Sequence, residues 1–131
     1  MNKVLMAVAL LSFVVISGCA ISEKTSGVWV EKGRLSIEDP AFAANIVLVR
    51  DLRDRTDEGF LRAQVFLQNT NRTDFRCQYC FEWMAENGMI QKHQSAPWRP
   101  LVMHGREMTE LEAISLLQDT ADFRLKIRRQ D

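Results

Sequence analysis

Phe75-Arg76-Cys77-Gln78-Tyr79-Cys80-Phe81-Glu82-Trp83 decides the fold class. On an extended chain successive side chains point to opposite faces, so Phe75, Cys77, Tyr79, Phe81 and Trp83 share one side while Arg76, Gln78 and Glu82 share the other. A row of four aromatics and a thiol has to be covered, and the segment reads as a half-buried strand. Upstream, Leu61, Ala63, Val65 and Leu67 alternate with Arg62, Gln64 and Gln68, with Phe66 a large residue on the polar side; the polar run Asn69 to Asp74 is the turn between the two strands. Ile46 to Arg53 predicts an earlier strand, with Asp54 to Gly59 as its turn into Phe60. Asn87-Gly88 tolerates positive φ and predicts that Met89 to Lys92 returns as a hairpin partner. Arg106 to Leu111, after Gly105, predicts a further strand. Phe123, Leu125 and Ile127, alternating with Arg124, Lys126 and Arg128, predict a last one with a basic outer face. Leu111, Ile114 and Leu117 also recur at a spacing of three, so Glu110 to Leu117 has a helical alternative. Short strands at this spacing predict an all-β fold, a small immunoglobulin-like antiparallel β-sandwich over residues 38–131.

The amino terminus has a different character. Met1-Asn2-Lys3 gives a short positive start, and Val4 to Ile16 is uncharged and interrupted only by Ser12, the length of a secretory hydrophobic region and too short for a transmembrane helix. It ends in Ile16-Ser17-Gly18-Cys19, which resembles the lipobox of bacterial lipoproteins: an aliphatic residue, two small ones and a cysteine. Small residues let the extended backbone enter a peptidase cleft, and only a thiol can become the thioether that carries diacylglycerol. The expected organisation is a signal peptide over 1–18, lipidated Cys19 with a flexible tether over 19–37, and the sandwich beyond. Several acyl chains give a stable anchor where one is marginal. An aspartate directly after the modified cysteine resembles an inner-membrane retention signal; Ala20 and Ile21 stand there, so the expected address is the outer membrane, facing the periplasm.

Seventeen basic residues balance seventeen acidic ones, which gives no global field toward nucleic acid. After Cys19 no apolar run approaches the roughly 18 residues that cross a bilayer. The membrane partner is therefore expected to be reached through lipid alone.

Val65-Phe66-Leu67-Gln68-Asn69, Tyr79-Cys80-Phe81-Glu82-Trp83, Asn87-Gly88, Trp98, Gly105 and Ala121-Asp122-Phe123-Arg124-Leu125 together resemble the YcfL family of predicted periplasmic lipoproteins, from about Asp39 to Arg129. The resemblance implies a compact sandwich without established enzymatic activity and brings no catalytic residues. The chain departs from the family in carrying Cys77 and Cys80 in the central strand.

Cys77-Gln78-Tyr79-Cys80 has the spacing of a redox or zinc pair, with His93 and His104 as conceivable further ligands. On a strand, however, residues three apart point to opposite faces about 10 Å apart along the chain. Cys77 is then a small core residue and Cys80 an outward one. Trp98, in Ala96-Pro97-Trp98-Arg99-Pro100, is either a presented binding hot spot or a plug closing one end of the core. Arg124, Lys126, Arg128 and Arg129 could meet an acidic partner or form a solvated face. Asn71-Arg72-Thr73 matches a glycosylation sequon by chance. There is no catalytic constellation, phosphate loop or cofactor motif, and the only covalent group expected is the lipid on Cys19. Two functional readings result: a non-catalytic binding or accessory module that contacts an envelope protein or peptidoglycan through Trp98, Arg99, Arg124 and Arg128, or a thiol or metal site using Cys77, Cys80, His93 and His104. Oligomeric state is not encoded in any motif.

Overall fold

The computed structural model describes residues 27–94 and 97–130. The expected signal peptide, Cys19 and the polar residues 22–26 after it lie outside the described residues. Eight strands follow in chain order: β1 (Trp29–Lys32), β2 (Leu35–Glu38), β3 (Ile46–Arg55), β4 (Leu61–Asn69), β5 (Phe75–Ala85), β6 (Arg99–Met103), β7 (Met108–Ile114) and β8 (Thr120–Arg129), with one short helix α1 (Pro40–Ala43). They form a five-stranded sheet, β1-β2-β8-β5-β6, and a three-stranded sheet, β3-β4-β7. The expected sandwich is present. Its pairing is not purely antiparallel: the β1–β2 hairpin sets β2 parallel to β8, with Leu35 opposite Leu125 and Ile37 opposite Ile127, because that register aligns the core-facing residues of both strands.

Period-two alternation produces the core. Leu35 and Ile37 from β2, Ala63, Val65 and Leu67 from β4, Cys77, Phe81 and Trp83 from β5, and Phe123, Leu125 and Ile127 from β8 are buried between the sheets. Phe81 and Trp83 stack with ring centroids 5.8 Å apart, and Phe123 tilts against both. Where the chain leaves β2 for the other sheet, the Asp39 carboxylate accepts from the Ala41 N–H at 2.9 Å and Pro40 opens α1. That turn carries Phe42 edge-on against Phe75, centroids 5.0 Å apart, closing one end of the core.

Several boundaries differ from the sequence reading. Residues 29–37, assigned to the tether, hold β1 and all but the last residue of β2, and Leu35 and Ile37 are wholly buried; Gly33, at φ 59, makes the tight turn between these strands. β3 runs on to Arg55 before turning. The helical alternative for Glu110 to Leu117 is replaced by β7, since Leu111 opposite Val65 and Ala113 opposite Ala63 continue the β4 ladder. The hairpin return after Asn87-Gly88 is real but brief: Met84 bridges Ile90 and the Gln91 N–H donates to the Trp83 carbonyl at 2.8 Å, after which Lys92–Gln94 curls into a 3-10 turn. β6 went unread because Pro100 interrupts its pattern, yet it pairs β5 from Phe75–Met103 to Tyr79–Arg99, as an edge strand that tolerates proline.

Candidate functional site

The thiols diverge as strand geometry requires. Cys77 is fully buried in the core, and burial pushes its thiol up to about 12. Cys80 lies half-buried on the opposite, solvent face of β5, where burial and the neighbouring Glu82 raise its pKa while Lys126 and Arg128 oppose them. The histidines stay apart as well. His93 belongs to the 3-10 turn beside the Trp83 end of β5, whereas His104 follows β6 at the Phe75 end, its Nδ1 3.2 Å from the Asp74 carboxylate. Among the described residues no group of three metal-ligating side chains forms, and no hydrogen bond joins Cys80 to His93. Burial raises the pKa of both thiols, and Cys80 and His93, though not hydrogen-bonded, line the same cleft.

The four residues read as a binding set divide between two places. Trp98 is not a core plug; it lies half-exposed on the solvent face of the five-stranded sheet, because the strand-side positions facing the core are already filled by Phe81, Leu125 and Ile127. The Arg128 guanidinium stacks over its ring, 4.1 Å from the centroid. Trp29 shares that face, its centroid 6.5 Å from that of Trp98, and the Lys126 ammonium sits between them at 4.7 Å from Trp29 and 5.9 Å from Trp98. The two indoles come from opposite edges of the sheet and meet over β8. Arg124, two residues before Lys126, is on the same face and 3.7 Å from Glu31. Arg99, the residue after Trp98, alternates away and lines a different feature.

That feature is a cleft of about 430 Å³. β6 stops pairing at Arg99 opposite Tyr79 and the hairpin return meets β5 only from Trp83 onward, so the stretch of β5 between them lacks a strand on that edge. It is lined by Tyr79, Cys80, Phe81 and Trp83 of β5, by Ala113, Ile114 and Leu116 from β7 and the chain after it, and by the polar side chains of Arg99, His93, Gln94 and Glu112. Ile114 and Leu116 are exposed.

One end of the cleft is fixed by a buried polar knot. The Gln94 amide donates to Gln91 and, at 2.8 Å, to the Thr120 hydroxyl, and its oxygen accepts from the Leu116 N–H at 2.6 Å. The Thr120 hydroxyl donates to Gln91 Oε1 at 2.6 Å, and Gln91 in turn donates to Asp119 at 3.0 Å. Each buried polar atom has a partner, which is the condition for burying it at little cost. Sequence reading missed this knot, since Gln91, Gln94 and Thr120 stand in polar surroundings that look like loop. It also missed Trp29, although the alternation of Leu35 and Ile37 after Lys32-Gly33 signals a hairpin that would have brought Trp29 into the domain.

A family model described as "Protein of unknown function (DUF1425)" matches residues 33–129. No curated protein matches the chain in sequence. Among solved structures, the Campylobacter jejuni protein cj0090 superimposes with a TM-score of 0.64 at 15% identity, covering 76% of this chain and 100% of that one. A DUF1425 family member from Shewanella sp. superimposes with a TM-score of 0.59 at 22% identity, over 79% of this chain and 88% of that one.

Proposed function

The chain belongs to the DUF1425 family, and from that premise we propose that it is a YcfL-type lipoprotein: a non-catalytic binding module held at the outer membrane by lipid on Cys19 and facing the periplasm, whose cleft beside Arg99 receives an apolar segment of an envelope protein. The observation that carries this reading is the cleft itself, lined mainly by aromatic and aliphatic side chains with Cys80, His93, Gln94, Arg99 and Glu112 among them, and of a volume typical of binding clefts. The cell wall is a poorer occupant, because glycan and charged peptide offer little apolar surface. The Ile16-Ser17-Gly18-Cys19 lipobox supports the anchor and Ala20-Ile21 the outer-membrane address. Tethering raises the local concentration of the cleft for neighbours at the same membrane, so contacts of modest affinity suffice.

Site-specific photocrosslinking in intact envelopes tests the cleft. A photoreactive residue at Ile114 or Leu116 is expected to give one discrete adduct, lost on Arg99→Glu and absent when the probe sits at Val47 or Val49 on the exposed face of the other sheet. The same adduct from all four positions, or none from the cleft, contradicts the proposal.

A further inference from the structure

We infer that the solvent face of the five-stranded sheet lies against an anionic phospholipid surface, the membrane that holds the chain's own lipid. The inference goes beyond the cleft and rests on the anchor at Cys19. Two of the three tryptophans, Trp29 and Trp98, sit outside the core on this face, although Trp83 shows that the sandwich can bury an indole. Indoles that present an apolar body and a polar N–H, beside lysine and arginine, suit the boundary between headgroups and water. The ladder Trp29, Lys126, Trp98, Arg128 orders these groups: each charged head lies over a ring, at 4.7 Å and 4.1 Å respectively, and the Arg128 Nε–H donates to Gln78 Oε1 at 2.8 Å, so the cations are held on the indole faces and it is the outward N–H groups of Lys126 and Arg128 that would meet phosphate oxygens.

Two further observations select the occupant. By strand register Arg76, Arg124, Lys126 and Arg128 share this face with Glu31, Glu38, Glu82 and Asp122; Asp122 is occupied by Arg34 at 2.8 Å and Arg53 at 3.1 Å, and Glu31 by Arg124 at 3.7 Å and by the Ser36 hydroxyl at 2.9 Å, which leaves three cations to two anions. The charge left unpaired around the indoles is positive. The described chain begins at Gly27, two residues before Trp29, and Cys19 precedes Trp29 by ten residues, which span at most about 35 Å fully extended. Trp29, in the first strand, therefore lies within one short tether's reach of the lipid. Docked in this way, the domain leaves its three-stranded sheet toward the periplasm and the cleft open at the side, where a membrane neighbour can reach it.

The test uses the full lipidated chain in vesicles of phosphatidylethanolamine and phosphatidylglycerol with brominated acyl chains, read by tryptophan fluorescence and by flotation. Trp29 and Trp98 are expected to be quenched in the native chain. Lys126→Gln with Arg128→Gln is expected to lose that quenching while the protein still floats, with the near-ultraviolet dichroism of the Phe81, Trp83 and Phe123 cluster unchanged. A native chain that floats but is not quenched overturns the docking, leaves the anchor standing and points to an acidic protein as occupant of this face. Quenching that is equal in the doubly substituted chain overturns the part assigned to the cations. A native chain that does not float overturns the anchor, and this inference with it.

Discussion

Cys77 and Cys80 differ by three positions and by the whole thickness of a strand. Burial holds Cys77 protonated far above neutral pH, its thiol at about 12, whereas Cys80 reaches solvent beside Lys126. A soluble maleimide is expected to modify Cys80 slowly in the native protein and Cys77 only after denaturation; equal labelling of both thiols under native conditions would place Cys77 outside the core. Strand alternation made this divergence legible in advance, and with it the aromatic row from Phe75 to Trp83. The same alternation could not place Trp98, which follows Pro97 and precedes a strand interrupted by Pro100. A side chain in such a loop goes where space is left. The core was filled by Phe81, Leu125 and Ile127, so the indole lay down on the outer face over Arg128 and Lys126.

At the scale of elements, long strands with clean alternation, β4, β5 and β8, could be read directly, whereas short ones whose partners are distant in sequence could not. β1 and β2 have four residues each, too few for a period to stand out, and the burial of β2 is imposed by β8, ninety positions later along the chain in the Ser36–Lys126 register. Glu110 to Leu117 fitted two periods at once, and pairing with β4 decided in favour of the strand. The loop after β5 illustrates the remaining difficulty. Gln91 and Gln94 look solvent-facing, yet they close one end of the cleft through hydrogen bonds to Thr120 and the Leu116 N–H. Gln94→Leu would strand the Leu116 N–H and remove two partners from the knot, and its expected cost is about 2 kcal/mol, measured by urea unfolding. The same substitution should weaken crosslinking from Leu116 more than from Ile114, because only the former backbone is held by Gln94. A neutral effect on both would mean that the knot does not shape the cleft.

Across the whole molecule, the two sheets are joined by an ion cluster as well as by the core. Arg34, in the β1–β2 turn, reaches Asp51 on β3 at 3.0 Å and Asp122 on β8 at 2.8 Å, and Arg53 reaches Asp122 at 3.1 Å. Burial pushes the Asp122 carboxyl up, but hydrogen bonds from Arg34 and the Phe123 N–H and the charges of Arg34 and Arg53 outweigh it, and the net shift is downward. A carboxyl whose folded pKa is depressed adds stability that is present above its unfolded value, about 4, and is lost as pH falls through the folded value. Asp122 is more than a third exposed, so solvent screening limits the contribution to about 1 kcal/mol or less. Urea midpoints are expected to fall as pH drops below about 4, and Arg34→Met should flatten that part of the profile; an identical profile in the variant would remove the cluster from the joint between the sheets. Architecture, strand faces and the divergence of the thiols were thus open to sequence reasoning, while the cleft was not, because it exists only where β6 stops pairing at Tyr79 and the hairpin return meets β5 again at Trp83.

The proposed anchoring would give that cleft its setting, and it is open to one direct measurement: labelled palmitate fed to cells that produce the full chain. Label is expected in the native protein and absent from Cys19→Ala. A native chain that matures without label would contradict lipid attachment and, with it, the envelope role.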